Sequence, residues 1–213
     1  CPMIIRPRPH GWQLLYILRG SIVKAIAPKV LAPEVIEGEP IGPPADIFSL
    51  GTMFYLFVTG QLPFLGPNPT ATLKRIVDGA YEDPVLRAPA LSKPLAEILH
   101  RMLARRPEDR YPDAAALRDA LADVLLRAGF ERPDEELVTF FAAPSVARQV
   151  LTRRLVELAL DGAEAAAASR NVHGAIDLLN QAQALDPENA RALSLMESLS
   201  LAQQTRSRRR SLL

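Results

Sequence analysis

The sequence predicts an all-helical protein, and three observations carry this prediction. In several segments, apolar residues recur at the i, i+3, i+4 and i+7 spacing of an amphipathic helix. No segment shows the apolar–polar alternation of a half-buried strand. Sixteen of the 19 prolines lie at or before Pro112, which predicts helices separated by turns in the first half and nearly continuous helix afterwards.

The most apolar predicted helix runs from Asp46 to Thr59. Asp46 is its expected N-cap, and Gly60 follows its last residue. Apolar side chains lie on nearly every face: Ile47, Phe48, Leu50, Met53, Phe54, Leu56, Phe57 and Val58. Because a helix that is apolar all round belongs inside a core, we expect this helix at the centre of the fold.

Three further helices follow it. The first starts after its expected cap, Asn68, and stops at Gly79; the second ends before Pro107; the third is capped by Asp113 and closed by Gly129. Their apolar stripes are, in order, Leu73, Ile76 and Val77; Leu95, Ile98, Leu99, Met102 and Leu103; and Leu117, Leu121, Val124 and Leu125.

Composition excludes several classes of function. The net charge of +1 calls for no nucleic-acid partner, and no apolar run is long enough to span a membrane. The single cysteine, Cys1, suits a reducing cytoplasm, where we expect the protein to reside. Because His10, His100 and His173 lie far apart, the sequence predicts neither a metal site nor a catalytic triad.

Three segments, in this order and at these distances, carry a family resemblance. They are Ala32-Pro33-Glu34, "ADIFSLGTMFYLFVTGQLPF" and "RMLARRPEDRYPDAAALRDAL". Together they resemble the C-terminal lobe of a bacterial Ser/Thr protein kinase over residues 26–130. The resemblance implies the helical subdomain of that lobe, with the N-lobe absent from these 213 residues.

The resemblance assigns roles to individual residues. Glu34 matches the glutamate of the family's Ala-Pro-Glu tripeptide, and Arg110 matches the arginine that pairs with it, an ion pair that ties the end of the activation segment to the lobe. Asp46 matches the aspartate that opens the buried helix and bonds to the catalytic-loop backbone. The alternatives are plain surface charge for Glu34 and Arg110 and a plain helix cap for Asp46.

A remnant of the family's substrate-facing loop is expected at Ala27, Pro28 and Val30. Family members commonly place Thr or Ser where Ala27 stands and an aromatic residue where Val30 stands. Because Ala27 has no hydroxyl to contact a substrate or to accept phosphate, the resemblance weakens at this loop.

The residues that perform phosphoryl transfer precede the tripeptide in a working kinase. Here the first aspartate is Asp46 and the first asparagine is Asn68. We therefore expect no catalytic, cofactor-binding or metal-binding residue in this chain and no phosphorylation by it; ATP and magnesium are expected only for an intact family member. The alternative is a non-catalytic protein-interaction module.

The two ends of the chain are basic. Residues 1–25 contain five basic residues, one of them a histidine, and no acid. We expect that these residues are not the native upstream sequence and that they result from a truncation, a frameshift or a decayed start. The alternative is a basic arm that binds something. Residues 206–213 are expected to form a disordered Arg-rich tail rather than a nucleic-acid or anionic-surface contact.

Residues 131–205 predict a helical tail. "EELVTFFAAP" indicates a short helix, and Ser145 is the expected cap of a longer one. "HGAIDLLNQAQALDPENARAL" then resembles the second half of a tetratricopeptide repeat, with small, large, small and proline positions at Ala175, Leu179, Ala182 and Pro187.

One such repeat cannot bury its own face. We therefore expect protein partners, bound through the lobe or the tail, and self-association of the chain. The alternative is an ordinary amphipathic hairpin that closes the lobe.

Overall fold

The structure, a computed structural model, describes residues 30–210 and the side chains of residues 30–201. This part contains helices and no strand, which confirms the predicted all-helical class. The α-helices are α1 (Pro33–Glu37), α2 (Pro43–Thr59), α3 (Pro69–Asp78), α4 (Pro84–Arg87), α5 (Lys93–Met102), α6 (Ala114–Arg127), α7 (Pro133–Ala142), α8 (Pro144–Ala168), α9 (Val172–Leu185) and α10 (Ala190–Arg210), with a 3-10 helix at Pro107–Asp109. The predicted basic segment 1–25, Ala27 and Pro28 lie outside the described residues.

The described residues form two compact units. The first contains residues 30–82 and Leu99–Leu117, and the second contains Asp83–Ile98 and the chain from Arg118 onward. The contacts therefore divide the chain elsewhere than at residue 130, where the sequence predicts a boundary. Residues 83–98 group by their contacts with the later helices. No local pattern in the sequence predicts this grouping.

Helix α2 supplies the centre of the first unit. Phe48 and Tyr55 are buried together with Phe64, Ile76 and Leu99. The Phe48 and Phe64 rings stack with their centroids 5.6 Å apart. The expectation of a helix buried on every side holds for only part of its surface, because Leu50 and Phe57 face solvent in the described structure.

The N-terminus of α2 corrects one prediction. The helix begins at Pro43 with Gly42 as N-cap, so Asp46 lies in the first turn, is exposed and does not cap the helix. Pro43 and Pro44 start the helix because proline fixes φ near the helical value and needs no partner for an N–H at these positions. Sequence reasoning gave too little weight to this proline pair.

Two other predicted caps are present. The Asn68 side-chain oxygen accepts a hydrogen bond from the Ala71 N–H at 2.8 Å, and Asp113 accepts one from the Ala116 N–H at 2.8 Å. Ser145, in contrast, is not a cap, because α8 begins one residue earlier at Pro144. Once more a proline at the first helical position decides the start.

Helices α2 and α5 approach each other closely at Gly51. A Cβ atom at Gly51 would lie 2.8 Å from the Met102 Cβ and 3.3 Å from the Leu103 Cδ2. The Met102 Cβ is attached directly to the backbone, so it cannot move aside as the end of a long side chain would. The missing side chain at Gly51 is therefore what allows this helix contact.

Gly51→Ala is expected to destabilise the first unit. In an ordinary helix interior this substitution stabilises by up to about 1 kcal/mol through helix propensity. Here overpacking against Met102 should outweigh that gain and lower the free energy of unfolding by about 1–3 kcal/mol. Urea denaturation followed by circular dichroism measures the change, and a more stable variant would show that the helices separate at no cost.

The second unit is built on α8, α9 and α10. Its core joins Val156, Leu160 and Leu179 to four buried alanines, Ala159, Ala163, Ala182 and Ala192. Helix α10 continues to Arg210, so residues 206–210 are helical where the sequence predicts a disordered tail. Arginine, glutamine and leucine are good helix formers, which favours continuation of a helix whose first turns are already packed.

Candidate functional site

The structure brings Glu34 and Arg110 together although 76 positions separate them in sequence. The Arg110 Nη1 lies 2.7 Å from the Glu34 Oε1, and Nη2 lies 2.9 Å from Oε2, which is a bidentate pair. The Arg110 side chain is 0% exposed and that of Glu34 is 3% exposed. The alternative of surface charge is therefore wrong for both residues.

Arg110 uses its full donor capacity at this site. Besides the two bonds to Glu34, Nη1 donates to the Pro44 carbonyl at 3.0 Å, Nη2 to the Arg105 carbonyl at 2.8 Å and Nε to the Ala104 carbonyl at 2.7 Å. A guanidinium has five N–H donors, and these contacts account for all five. The buried charge is thus completely satisfied.

Three other chain segments meet at this guanidinium. Glu34 comes from α1, the Pro44 carbonyl from the start of α2, and the Ala104 and Arg105 carbonyls from the turn after α5. The guanidinium carbon of Arg110 also lies 4.9 Å from the centroid of the Phe48 ring, in a cation–π contact with the core. One side chain therefore holds together elements that are distant in sequence.

The pair also sets the ionisation of Glu34. Burial by itself raises the pKa of the Glu34 carboxyl group. Three effects lower it: the hydrogen bonds from Arg110, a hydrogen bond from the backbone N–H of Glu34 itself, and the positive charge of Arg110. Together they outweigh burial, so the pKa of Glu34 lies below its usual value. Glu34 is therefore an ionised carboxylate at neutral pH.

The lowered pKa of Glu34 predicts a stability change in acid. A depressed pKa stabilises the fold above the unfolded-state pKa of about 4.3, and this contribution is lost as the pH falls through the folded-state value. The difference in unfolding free energy between the wild type and Glu34→Gln should therefore be constant near neutrality and shrink below about pH 4.3. Urea denaturation at a series of pH values tests this; a difference that stays constant into strong acid would contradict it.

The remaining residues matched to the kinase lobe are placed differently. Asp46 is exposed and lies 12 positions before Val58, the last residue of α2 that packs against the core. It takes no part in the Glu34–Arg110 pair. Val30 precedes α1, and its carbonyl accepts a hydrogen bond from the Ser49 hydroxyl at 2.8 Å. Val30 is thereby held beside α2.

Sequence reasoning missed several members of this site. The carbonyls of Pro44, Ala104 and Arg105 carry no side-chain signal, so no residue pattern could reveal them. Phe48 was predicted only as a core residue, and Ser49 was not singled out. Ser49 could have been suspected as a polar residue in an otherwise apolar helix.

In the second unit, three of the residues matched to a tetratricopeptide repeat form the helix contact. Ala175, Leu179 and Ala182 are fully buried on α9, which packs against α8 and α10. Small side chains on both sides let the helix backbones approach: a Cβ at Gly162 of α8 would lie 3.1 Å from the Leu178 Cδ1. Pro187 is exposed in the turn after α9, two residues beyond the last helical residue, Leu185.

An exposed ion-pair network joins α10 to α8. Arg191 contacts Glu157, Asp161 and Glu164, each with an N–O distance of 2.9 Å. The three acids are spaced four and three residues apart and therefore lie on one face of α8. The hydrogen bonds that Arg191 donates to Glu164 and Asp161 raise the pKa of its guanidinium, so Arg191 stays charged.

The described residues contain no group of three or more His, Cys, Asp and Glu side chains that could hold a metal ion. Within the same part of the chain, no helix combines the length and apolar character needed to cross a membrane.

Comparison with known proteins places a kinase-like segment on these residues. Residues 23–121 match the protein kinase domain family. The chain is 39% identical over 85 residues to the probable serine/threonine-protein kinase MARK-C of Dictyostelium discoideum, covering 39% of this chain and 10% of that protein. It is also 39% identical over 84 residues to the tyrosine-protein kinase MasK of Myxococcus xanthus, covering 39% of this chain and 13% of that protein.

Among solved structures, the twitchin kinase region from C. elegans is similar at 27% identity with a TM-score of 0.40, covering 44% of this chain and 16% of that chain. This chain spans about a tenth of the length of the curated relatives it matches. The matched segment contains both Glu34 and Arg110. Residues 23–121, just under half of the chain, are thus similar to a segment of a protein kinase domain.

Proposed function

We propose that residues 26–130 serve as part of the C-terminal lobe of a Ser/Thr protein kinase domain. The observation that carries the proposal is the buried Glu34–Arg110 pair, which joins the Ala-Pro-Glu tripeptide to the turn after α5. In this role the pair anchors the end of the substrate-facing segment. The serine/threonine-protein kinases among the relatives, MARK-C included, favour the Ser/Thr class.

We further infer that the 213-residue chain does not transfer phosphate by itself. In kinases the catalytic aspartate and the magnesium-binding residues precede the tripeptide. The first aspartate here is Asp46 and the first asparagine is Asn68, both after Glu34. Since phosphoryl transfer depends on metal and positioning, ATP and magnesium act only where another stretch of polypeptide supplies these residues.

A second candidate function is a non-catalytic protein-interaction module. The observation that favours it is the alanine-rich packing of α8, α9 and α10, which resembles a tetratricopeptide repeat. Repeats of this kind present helix faces to protein partners. In this view the kinase-like lobe is a scaffold.

In either view we place the protein in a bacterial cytoplasm, where its one cysteine needs no partner.

Two measurements test these proposals. The first incubates the purified 213-residue chain with radiolabelled ATP, magnesium and a generic basic protein, beside an active Ser/Thr kinase as control. We expect no phosphate incorporation above the blank. Magnesium-dependent incorporation by the 213-residue chain would overturn the inference that it is inactive alone.

The second measurement takes the native protein, immunopurified from its source, and determines its intact mass and its phosphotransfer activity. We expect a mass well above 23.3 kDa together with activity. An inactive native protein of about 23.3 kDa would reject the catalytic role and leave the interaction module.

A further inference from the structure

Helix α7 turns its apolar side to solvent. No residue of α7 is buried. Leu137, Val138 and Phe141 are 56%, 71% and 72% exposed, and because the first two precede Phe141 by four and three residues, all three lie on one side of the helix. We call this side the α7 stripe. The half-buried residues of α7, Glu136 and Phe140, lie on the opposite side. Large apolar side chains grouped at the surface in this way mark an interaction site.

Contacts to α8 hold α7 in this orientation. The Glu136 carboxylate lies 2.9 Å from the Arg154 Nη1, and the Arg154 guanidinium lies 4.4 Å from the centroid of the Phe130 ring, just before α7. These contacts join the polar side of α7 to α8, so the apolar side cannot turn inward. Since Ala143 alone separates the two helices and the first turn of α7 contacts the middle of α8, the helices form an antiparallel hairpin.

The first turns of α8 add to the open apolar surface. Val146 and Val150 are one helical turn apart, and each is 60% exposed. They follow directly on the connection at Ala143 that ends the α7 stripe. The core that α8 shares with α9 and α10 takes its first α8 residue at Val156. The turns before Val156 therefore lack the cover that α9 and α10 give to the rest of α8.

The charges beside this surface fit a second copy of the chain. Nearby charges are already paired, such as Arg132 with Glu135. Asp134, at the start of the α7 stripe, and Arg148, beyond its other end, are both exposed, and neither forms an ion pair within the described residues. A twofold axis that packs two stripes antiparallel brings the Asp134 end of each copy towards the Arg148 end of the other copy. The three acids in the first turn of α7 make an anionic membrane a poorer match.

We propose that the α7 stripe, together with Val146 and Val150, is the surface through which two copies of this chain form a twofold dimer. The two hairpins pack face to face as a four-helix arrangement, with the α7 stripes at its centre. Asp134 of each copy faces Arg148 of the other copy. Both helices follow residue 121, the last residue that matches the protein kinase domain, so this proposal does not rest on the proposed function.

Sedimentation equilibrium of the full 213-residue chain over a concentration series measures this dimer. Because the contact is limited to one short hairpin, we expect a dissociation constant in the micromolar range. The double variant Val138→Ser, Phe141→Ser should raise it about 100-fold or more, since each dimer buries four of these side chains. Both side chains are exposed in the single chain, so the circular dichroism spectrum and the urea midpoint of the monomer should not change. The matched control Leu86→Ser, Leu193→Ser alters two exposed leucines of the same unit and should leave the dissociation constant unchanged.

A charge exchange distinguishes this contact from association through any other surface. Asp134→Arg and Arg148→Asp should each raise the dissociation constant several-fold, and the two together should bring it back to near the wild-type value, because only facing charges compensate each other. The proposal is overturned if the wild type stays monomeric throughout the micromolar range, if the double serine variant at Val138 and Phe141 dimerises as the wild type does, or if the charge exchange is not compensated. A monomeric wild type that binds phosphatidylglycerol vesicles through the α7 stripe would also overturn it and assign the stripe to a membrane surface.

Discussion

Arg110→Ala is expected to lower the free energy of unfolding of the first unit by about 3–5 kcal/mol. The substitution leaves the Glu34 carboxylate buried without its partner, and it also leaves the carbonyls of Pro44, Ala104 and Arg105 without donors. Breaking a buried pair on one side is costly because the remaining charge stays away from water. Against a typical domain stability of about 5–15 kcal/mol, this is a large fraction.

Hydrogen exchange can measure this effect within the first unit. The Glu39 N–H donates to the Glu34 carbonyl at 2.8 Å, so its protection reports on the segment that the pair anchors. Arg106→Ala is the matched control, since Arg106 belongs to the same unit but is 69% exposed and pairs with Glu108 at the surface. Exposed pairs contribute only about 0–1 kcal/mol. Equal losses in the two variants would contradict the importance assigned to burial.

Two further substitutions separate charge from hydrogen bonding. Arg110→Lys keeps the charge but cannot bind five acceptors in a planar arrangement, so we expect only partial recovery. The double variant Glu34→Leu, Arg110→Met removes both charges and should recover the part of the loss that comes from an unpaired charge. It should stay below the wild type, because three carbonyls remain without donors.

Leu179→Ala is expected to lower the free energy of unfolding of the second unit by about 2–5 kcal/mol. Leu179 is fully buried on α9, among Val156, Leu160 and the alanines of α8 and α10. Truncation removes buried apolar atoms and leaves a cavity. The surrounding alanines cannot fill it, because they have no side-chain atoms beyond Cβ.

Leu158→Ala, on α8 of the same unit, is the control. Its side chain is 45% exposed, so the same chemical change removes less buried surface and leaves no closed cavity. Hydrogen exchange of the α9 amides and urea denaturation should rank Leu179→Ala well below Leu158→Ala in stability. Similar losses would mean that α9 packs no more tightly at Leu179 than at the surface, and the comparison with a tetratricopeptide repeat would fail.

The predicted helices are present in the structure because the sequence signals that predict them are local. Apolar spacing, Asn68 and Asp113 as caps and Gly60 and Gly79 as C-terminal residues all act within one or two turns. Where two local signals competed, the prediction was wrong: Pro43 and Pro44 start α2 ahead of Asp46, and Pro144 starts α8 ahead of Ser145. In both cases a fixed proline φ prevailed over a side-chain hydrogen bond.

The sequence by itself determined the helical class, most helix ends and the pairing of Glu34 with Arg110 through the family resemblance. Only the tertiary structure decided that the Arg110 guanidinium is buried and meets three carbonyls, that α2 leaves one face open, and that residues 83–98 group with the later helices. The physical reason is the same in each case. Periodicity and capping are properties of neighbouring residues. Which group bonds a backbone carbonyl, and which face of a helix stays exposed, depends instead on segments far away in the chain.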